Sequence, residues 1–188
     1  MRRIPNLLTT VRIAIVPVLI LLLAFPSPRR SLLALLVFSV ASFTDWLDGF
    51  LARRLGAESI VGRFFDPLAD KVLVMSVLIM LAGHPEEFSV PAWIVATMLA
   101  RDMLISGLRT LAATKQISMP ATMSAKIKTA STMAAIMAIL AGNAAELWSR
   151  GDLDATFTFL GICLLWIALI SSLVSGTAYF YRLRALFA

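Results

Sequence analysis

The sequence predicts an all-α, polytopic membrane protein with six transmembrane helices, and three observations predict it. Hydrophobic residues make up 60% of the 188 positions and charged residues only 15%, against roughly 45–50% and about 25% in soluble domains. The apolar residues gather into six long segments separated by short polar, glycine- or proline-containing turns. No stretch of useful length alternates between apolar and polar as a strand does. A single transmembrane domain spanning 1–188 is expected.

The first segment runs from about Leu7 to Phe25, with Pro5 suited to an early helical position and Pro26 and Pro28 stopping the run. Its basic start resembles a signal peptide. No clear small-residue cleavage site follows, so it reads as an uncleaved first membrane helix. The second, about Ser31 to Arg53, is apolar for two-thirds of its length and charged in the last third. The third, about Arg63 to Ala82, is charged at its start. The fourth, about Pro91 to Ala112, is interrupted by Arg101 and Asp102. The fifth covers about Lys126 to Ala145. The sixth, about Ala155 to Tyr181, is long enough to span with tilt. Polar groups within such a bundle face protein rather than lipid.

Charge sets the orientation. Six spans put both termini on one side, together with Arg2, Arg3, Arg53, Arg54, Arg109, Lys126, Lys128 and Arg182. The other side holds Arg29, Arg30 and Arg150 beside Glu86, Glu87, Glu146, Asp152 and Asp154. The excess of Lys and Arg places the termini in the cytoplasm. The formal net charge of +6 is therefore a topological signal. No zinc-finger spacing or interleaving of aromatic and basic residues points to nucleic acid. One cysteine, Cys163 in an apolar run, excludes an intrachain disulfide and a cysteine metal cluster.

Four aspartates stand out: Asp45, Asp48, Asp66 and Asp70 in "DWLDGFLARRLGAESIVGRFFDPLAD". Asp45 and Asp48 are three apart and Asp66 and Asp70 four apart, so each pair shares a face of its own helix. The short glycine-containing loop between can bring the two faces together at the cytoplasmic ends of the second and third helices. Converging carboxylates repel unless protonated or neutralised by cations. Hard divalent ions such as Mg²⁺ or Mn²⁺ take oxygen ligands of this kind. Two such ions per site can clamp a pyrophosphate. Gly49 and Ala52 remove bulk beside Asp48, for close approach of a ligand or for tight helix packing.

The stretch resembles the signature of the CDP-alcohol phosphatidyltransferase family at Asp45, Asp48, Gly49, Ala52, Arg53, Gly62, Asp66 and Asp70, without a gap. "PNLLTTVR" (5–12) is similar to the start of bacterial members. "SAKIKT" (124–129) is similar to the "GKxKT" segment of members that use glycerol 3-phosphate, with Ala125 in place of the usual glycine. The resemblance implies the family's six-helix fold, a homodimer in the bacterial inner membrane and a need for Mg²⁺ or Mn²⁺. It implies attack by sn-glycerol 3-phosphate on CDP-diacylglycerol, giving phosphatidylglycerophosphate and CMP. It makes Asp45, Asp48, Asp66 and Asp70 metal ligands, with Asp70 also the general base. It makes Gly49, Ala52 and Arg53 part of the nucleotide site, and Asn6 and Thr9 are further candidates on that side.

The phosphate of the acceptor needs fixed positive charge, for which Arg109, Lys126, Lys128 and Arg101 are candidates. Arg101 and Asp102 equally suit an internal ion-pair network, since charge within a bundle seldom faces lipid. Lys126 and Lys128, two apart, do not share a helical face, so one can reach headgroups while the other faces a site. Other acceptors of the same family (inositol phosphate, serine, phosphatidylglycerol) and, from another class, a divalent-cation transporter are alternatives. A transporter would more naturally carry its acids near the bilayer midplane. No Ser–His–Asp or Cys–His arrangement competes, because the one histidine, His84, falls at the expected outer surface.

Overall fold

The computed structural model describes the backbone at 4–55, 60–114, 123–148 and 152–183, and side chains at 11–44, 68–112, 123–147 and 152–181. The described residues lie in helices or in the short connections between them. Six long helices, α1 (Ile4–Leu23), α2 (Pro28–Leu55), α3 (Ile60–Ala82), α5 (Ala92–Thr114), α6 (Met123–Ala145) and α7 (Leu153–Leu183), match the six segments read from the sequence to within a few residues. Two short elements are added: α4 (Pro85–Phe88) and a 3-10 turn, Glu146–Trp148.

Local chemistry sets the ends. Pro5 falls in the first turn of α1, where a missing N–H costs nothing. Pro17 lies inside α1, which continues past it. At the α1–α2 turn the Ser27 hydroxyl accepts from Arg30 N–H at 3.4 Å, and Pro28 opens α2. Arg30 closes the turn by donating to the Phe25 carbonyl at 2.9 Å and lying 5.7 Å over the Phe25 ring. Pro85 starts α4, and Ser89 ends it in the left-handed region at φ 54, its N–H donating to the Pro85 carbonyl at 2.9 Å. That unusual backbone is held by its neighbours Phe88 and Val90, both buried in the core.

α1 packs on α2 and α3, α2 on α6, and α6 lies along α7, which also meets α5. Leu19, Leu23, Phe38, Leu78, Met98, Ile136, Ile139 and Leu165 form the fully buried centre. The outward faces are also apolar, with Leu21, Phe159, Met103 and Leu104 about 70% exposed. Meanwhile Ser31, Asn143, Ser172, Ser175 and Asp102 are inside. An extended apolar surface around an interior that also holds polar groups belongs to a membrane-associated fold. Among the described residues two helices are long and apolar enough to cross a bilayer, Met123–Ala145 and Leu153–Tyr181, with a shorter apolar stretch at Val11–Leu23. The sequence predicts six spans, and two helices among the described residues qualify; in α5 the charges of Arg101 and Asp102 interrupt the apolar run.

α6 is tied to α2 and α7 by close contacts. The Ser31 hydroxyl of α2 donates to Asn143 Oδ1 at 2.7 Å, both groups buried. Gly142 lets α7 approach closely: a Cβ there would meet Thr158 Oγ1, and would sit 2.9 Å from the Asp154 carbonyl and 3.0 Å from Thr158 N. Two of those atoms are backbone and cannot swing aside. Gly142→Val should therefore separate α6 from α7 and cost at least about 1–3 kcal/mol. The check is a lower thermal denaturation midpoint in detergent. An unchanged midpoint would contradict the close approach.

Candidate active site

α3, α5, α6 and α7 line a half-open cavity of about 230 Å³. α3 contributes Asp70 and Lys71. α5 contributes Arg101, Asp102, Ser106 and Arg109, and Asp102 and Ser106 are one helical turn apart. α6 contributes Lys128 and Thr129, and α7 contributes Tyr179.

The polar groups are linked. Asp102, 5% exposed, accepts from Arg101 at Oδ1 (2.9 Å) and from the Lys128 ammonium at Oδ2. The second terminal nitrogen of Arg101 donates to the Ser175 hydroxyl. Lys71 donates to the Ser106 hydroxyl, which in turn donates to the Asp102 carbonyl at 2.6 Å. The Arg109 guanidinium lies 5.8 Å over the Tyr179 ring. On the α1 side, Arg12 donates to Asp70 Oδ1 at 2.6 Å, with Arg12 buried and Asp70 about one-third exposed.

The consequence is electrostatic. Lys71, Arg101, Arg109 and Lys128 line the cavity around Asp102, while Asp70 is paired with Arg12. Four cations and two carboxylates thus face one cavity, and clustered guanidinium and ammonium groups suit charge-assisted hydrogen bonds to an anion. The volume lies below the roughly 300–1,000 Å³ of pockets for drug-sized ligands. The arrangement therefore suits a small, strongly anionic molecule beside a carboxylate.

Of the residues singled out from the sequence, Asp70, Arg101, Arg109 and Lys128 come together here. Lys126 does not line the cavity and is exposed. Arg101 and Asp102 do form an internal ion pair, and its members also line the cavity. Asp45, Asp48, Gly49, Ala52 and Arg53 fall within α2, Asp66 within α3, and Asn6 and Thr9 within α1. Their side chains lie outside the described residues. Among the described residues no group of three or more acidic, His or Cys side chains gathers as a metal site. Lys71, Ser106, Tyr179 and Ser175 were not singled out. Lys71 carried a signal, as a charge directly after Asp70 within an apolar helix.

The CDP-alcohol phosphatidyltransferase family model matches residues 2–174. The chain belongs to that family and is an enzyme of the phosphatidyltransferase type. Among its relatives are three proteins each named CDP-diacylglycerol–glycerol-3-phosphate 3-phosphatidyltransferase. That of Rickettsia typhi is 35% identical over 187 residues, covering 100% of each chain. That of Rickettsia bellii is 36% identical, covering 97% of this chain and 96% of its own. That of Bacillus subtilis is 35% identical, covering 97% and 95%.

Proposed function

We propose that the chain transfers the phosphatidyl group of CDP-diacylglycerol to sn-glycerol 3-phosphate, giving phosphatidylglycerophosphate and CMP. The observation that carries this reading is that Asp70, the last aspartate of the signature, lines the same cavity as Arg101, Arg109 and Lys128. A cation-rich cavity suits the acceptor's phosphate, and a carboxylate at its wall suits the acceptor's hydroxyl. The names of the relatives support the same acceptor.

In this reading Asp70 takes the proton from the acceptor hydroxyl. The hydroxyl oxygen attacks the phosphorus that bears the diacylglycerol. The bond to CMP breaks, and CMP leaves with the electron pair, with no covalent enzyme intermediate. Arg12 holds the Asp70 carboxylate in place. Arg109 and Lys128 bind the acceptor phosphate and orient the attacking hydroxyl, and Arg101 adds to the binding of the phosphate. Gly49, Ala52 and Arg53, with Asn6 and Thr9, form the nucleotide side, and Lys126 reaches headgroups.

Asp45, Asp48, Asp66 and Asp70 would hold Mg²⁺ or Mn²⁺, two per active site. The donor set fits: all are hard carboxylate oxygens. A carboxylate with about four lone-pair sites can take an arginine and a cation together. When bound, the cations offset the charge of the pyrophosphate.

The same reading has residues 1–188 as one catalytic domain whose six long helices cross the bacterial inner membrane. The charge asymmetry supports termini and site on the cytoplasmic side. The family resemblance supports a homodimer.

The test is lipid-product analysis by mass spectrometry with purified protein, CDP-diacylglycerol, divalent metal and each acceptor in turn. Phosphatidylglycerophosphate from glycerol 3-phosphate alone is expected. Product with serine, inositol phosphate or phosphatidylglycerol instead would keep the family and overturn the acceptor.

A further inference from the structure

Arg101 belongs to α5, but its guanidinium is seated by α7. One terminal nitrogen donates to Asp102 at 2.9 Å and the other to the Ser175 hydroxyl. Ser175 is fully buried, and its own proton goes to the Ser172 carbonyl at 3.1 Å. A hydroxyl has one proton and two lone pairs. Spending the proton on the helix backbone turns the lone pairs toward Arg101.

Gly176 supplies the room. A Cβ there would sit 3.2 Å from Arg101 Nε and 3.6 Å from Arg101 Cγ. No side chain enters that space without pushing the guanidinium aside by a few tenths of an ångström. Gly176 has no left-handed backbone to explain it. A glycine within a helix costs about 1 kcal/mol against alanine, so the space is its evident use. Arg101 Nε is itself buried, with no hydrogen-bond partner among the described residues. A guanidinium held at both terminal nitrogens, with its stem against a notch, has little freedom of orientation.

We propose that Ser175 and Gly176 of α7 are a positioning pair that sets acceptor affinity by fixing Arg101 in the cavity. Neither residue lines the cavity, so both act through Arg101. The inference rests on the acceptor reading above and adds α7 as the element that tunes it. Displacing Arg101 weakens a charge-assisted contact made equally in the ground and transition states. Such a change raises KM and leaves kcat nearly constant.

The experiment is steady-state CMP release by the full chain in detergent, with metal present, varying glycerol 3-phosphate and CDP-diacylglycerol separately. Ser175→Ala and Gly176→Ala are expected to raise KM for glycerol 3-phosphate about fivefold to tenfold. Their kcat and their KM for CDP-diacylglycerol should stay within about twofold of wild type. Ser175→Thr, which keeps the hydroxyl, should restore the wild-type KM. A purely structural role would instead lower kcat and thermal stability without singling out one substrate. Should Gly176→Ala fail to fold, Ser175→Ala carries the test. A wild-type acceptor KM in folded Ser175→Ala overturns the proposal. No CMP release by wild type with glycerol 3-phosphate overturns the acceptor reading, and the positioning proposal with it.

Discussion

Asp70→Asn should reduce CMP release by about 10²–10⁴-fold, the range that a positioned general base contributes. The substitution keeps the size of the side chain. Its amide oxygen can still accept from Arg12, which reaches Asp70 Oδ1 at 2.6 Å in the native protein. Arg12 is buried, but Asp70 is about one-third exposed, so solvent dilutes what the pair is worth to stability. Activity should therefore fall far more than the thermal midpoint. Steady-state CMP release and thermal denaturation on the same preparation separate the two. A variant that is folded and retains activity within tenfold of wild type would remove Asp70 from the role of base.

Asp102→Asn should have the largest effect on stability. Asp102 is 5% exposed and holds both Arg101 and Lys128. Without its charge, two cations face each other inside the bundle. Removing one member of a buried ion pair costs about 3–5 kcal/mol, mostly because the survivor is left uncompensated. The double variant Asp102→Asn with Lys128→Met should recover part of that loss, since it removes one of the stranded cations. It should not recover the acceptor affinity, because Lys128 lines the cavity. Thermal denaturation of the two single variants and the double gives the coupling directly. Strictly additive losses would show that Asp102 and Lys128 do not depend on each other.

These two residues mark how far the sequence could be read. Helices were legible because their signals are local: apolar length, prolines at the starts and charges at the ends. α2 ends at Leu55 and α3 starts at Ile60, each two or three residues beyond the expected limits, where composition changes gradually. α4 escaped because four residues, Pro85 to Phe88, hold too little periodicity to register. Its anchoring by buried Phe88 is a tertiary effect. Membrane crossing was read from the pattern of all six segments. Among the described residues, two helices satisfy the criterion of length and apolarity on their own.

The site divides the same way. The basic candidates Arg101, Arg109 and Lys128 were legible as charges stranded in apolar helices, and they meet in one cavity. Lys126, two positions from Lys128, was drawn in by spacing in sequence, and it lies outside the cavity lining. Ser175 and Gly176 were invisible, because their meaning depends on Arg101 being 74 residues away in sequence from Ser175. Nothing in "LVSGTAY" distinguishes that pair from ordinary small residues at a helix interface. The pairing of Arg12 with Asp70, 58 positions apart, is equally silent in the sequence. Long-range partners are set by how helices pack, and only the folded chain reveals them.

The acceptor's phosphate is the group that the cation-rich cavity is proposed to bind. The most direct test is CMP release by wild-type protein with CDP-diacylglycerol and metal, comparing glycerol 3-phosphate with unphosphorylated glycerol. The two acceptors share the attacking hydroxyl and differ in the group the cavity is said to hold. Sites built around a polar group reject analogues that lack it, so kcat/KM with glycerol should be lower by at least about a hundredfold. Equal efficiency with the two acceptors would mean that Arg101, Arg109 and Lys128 do not bind the phosphate.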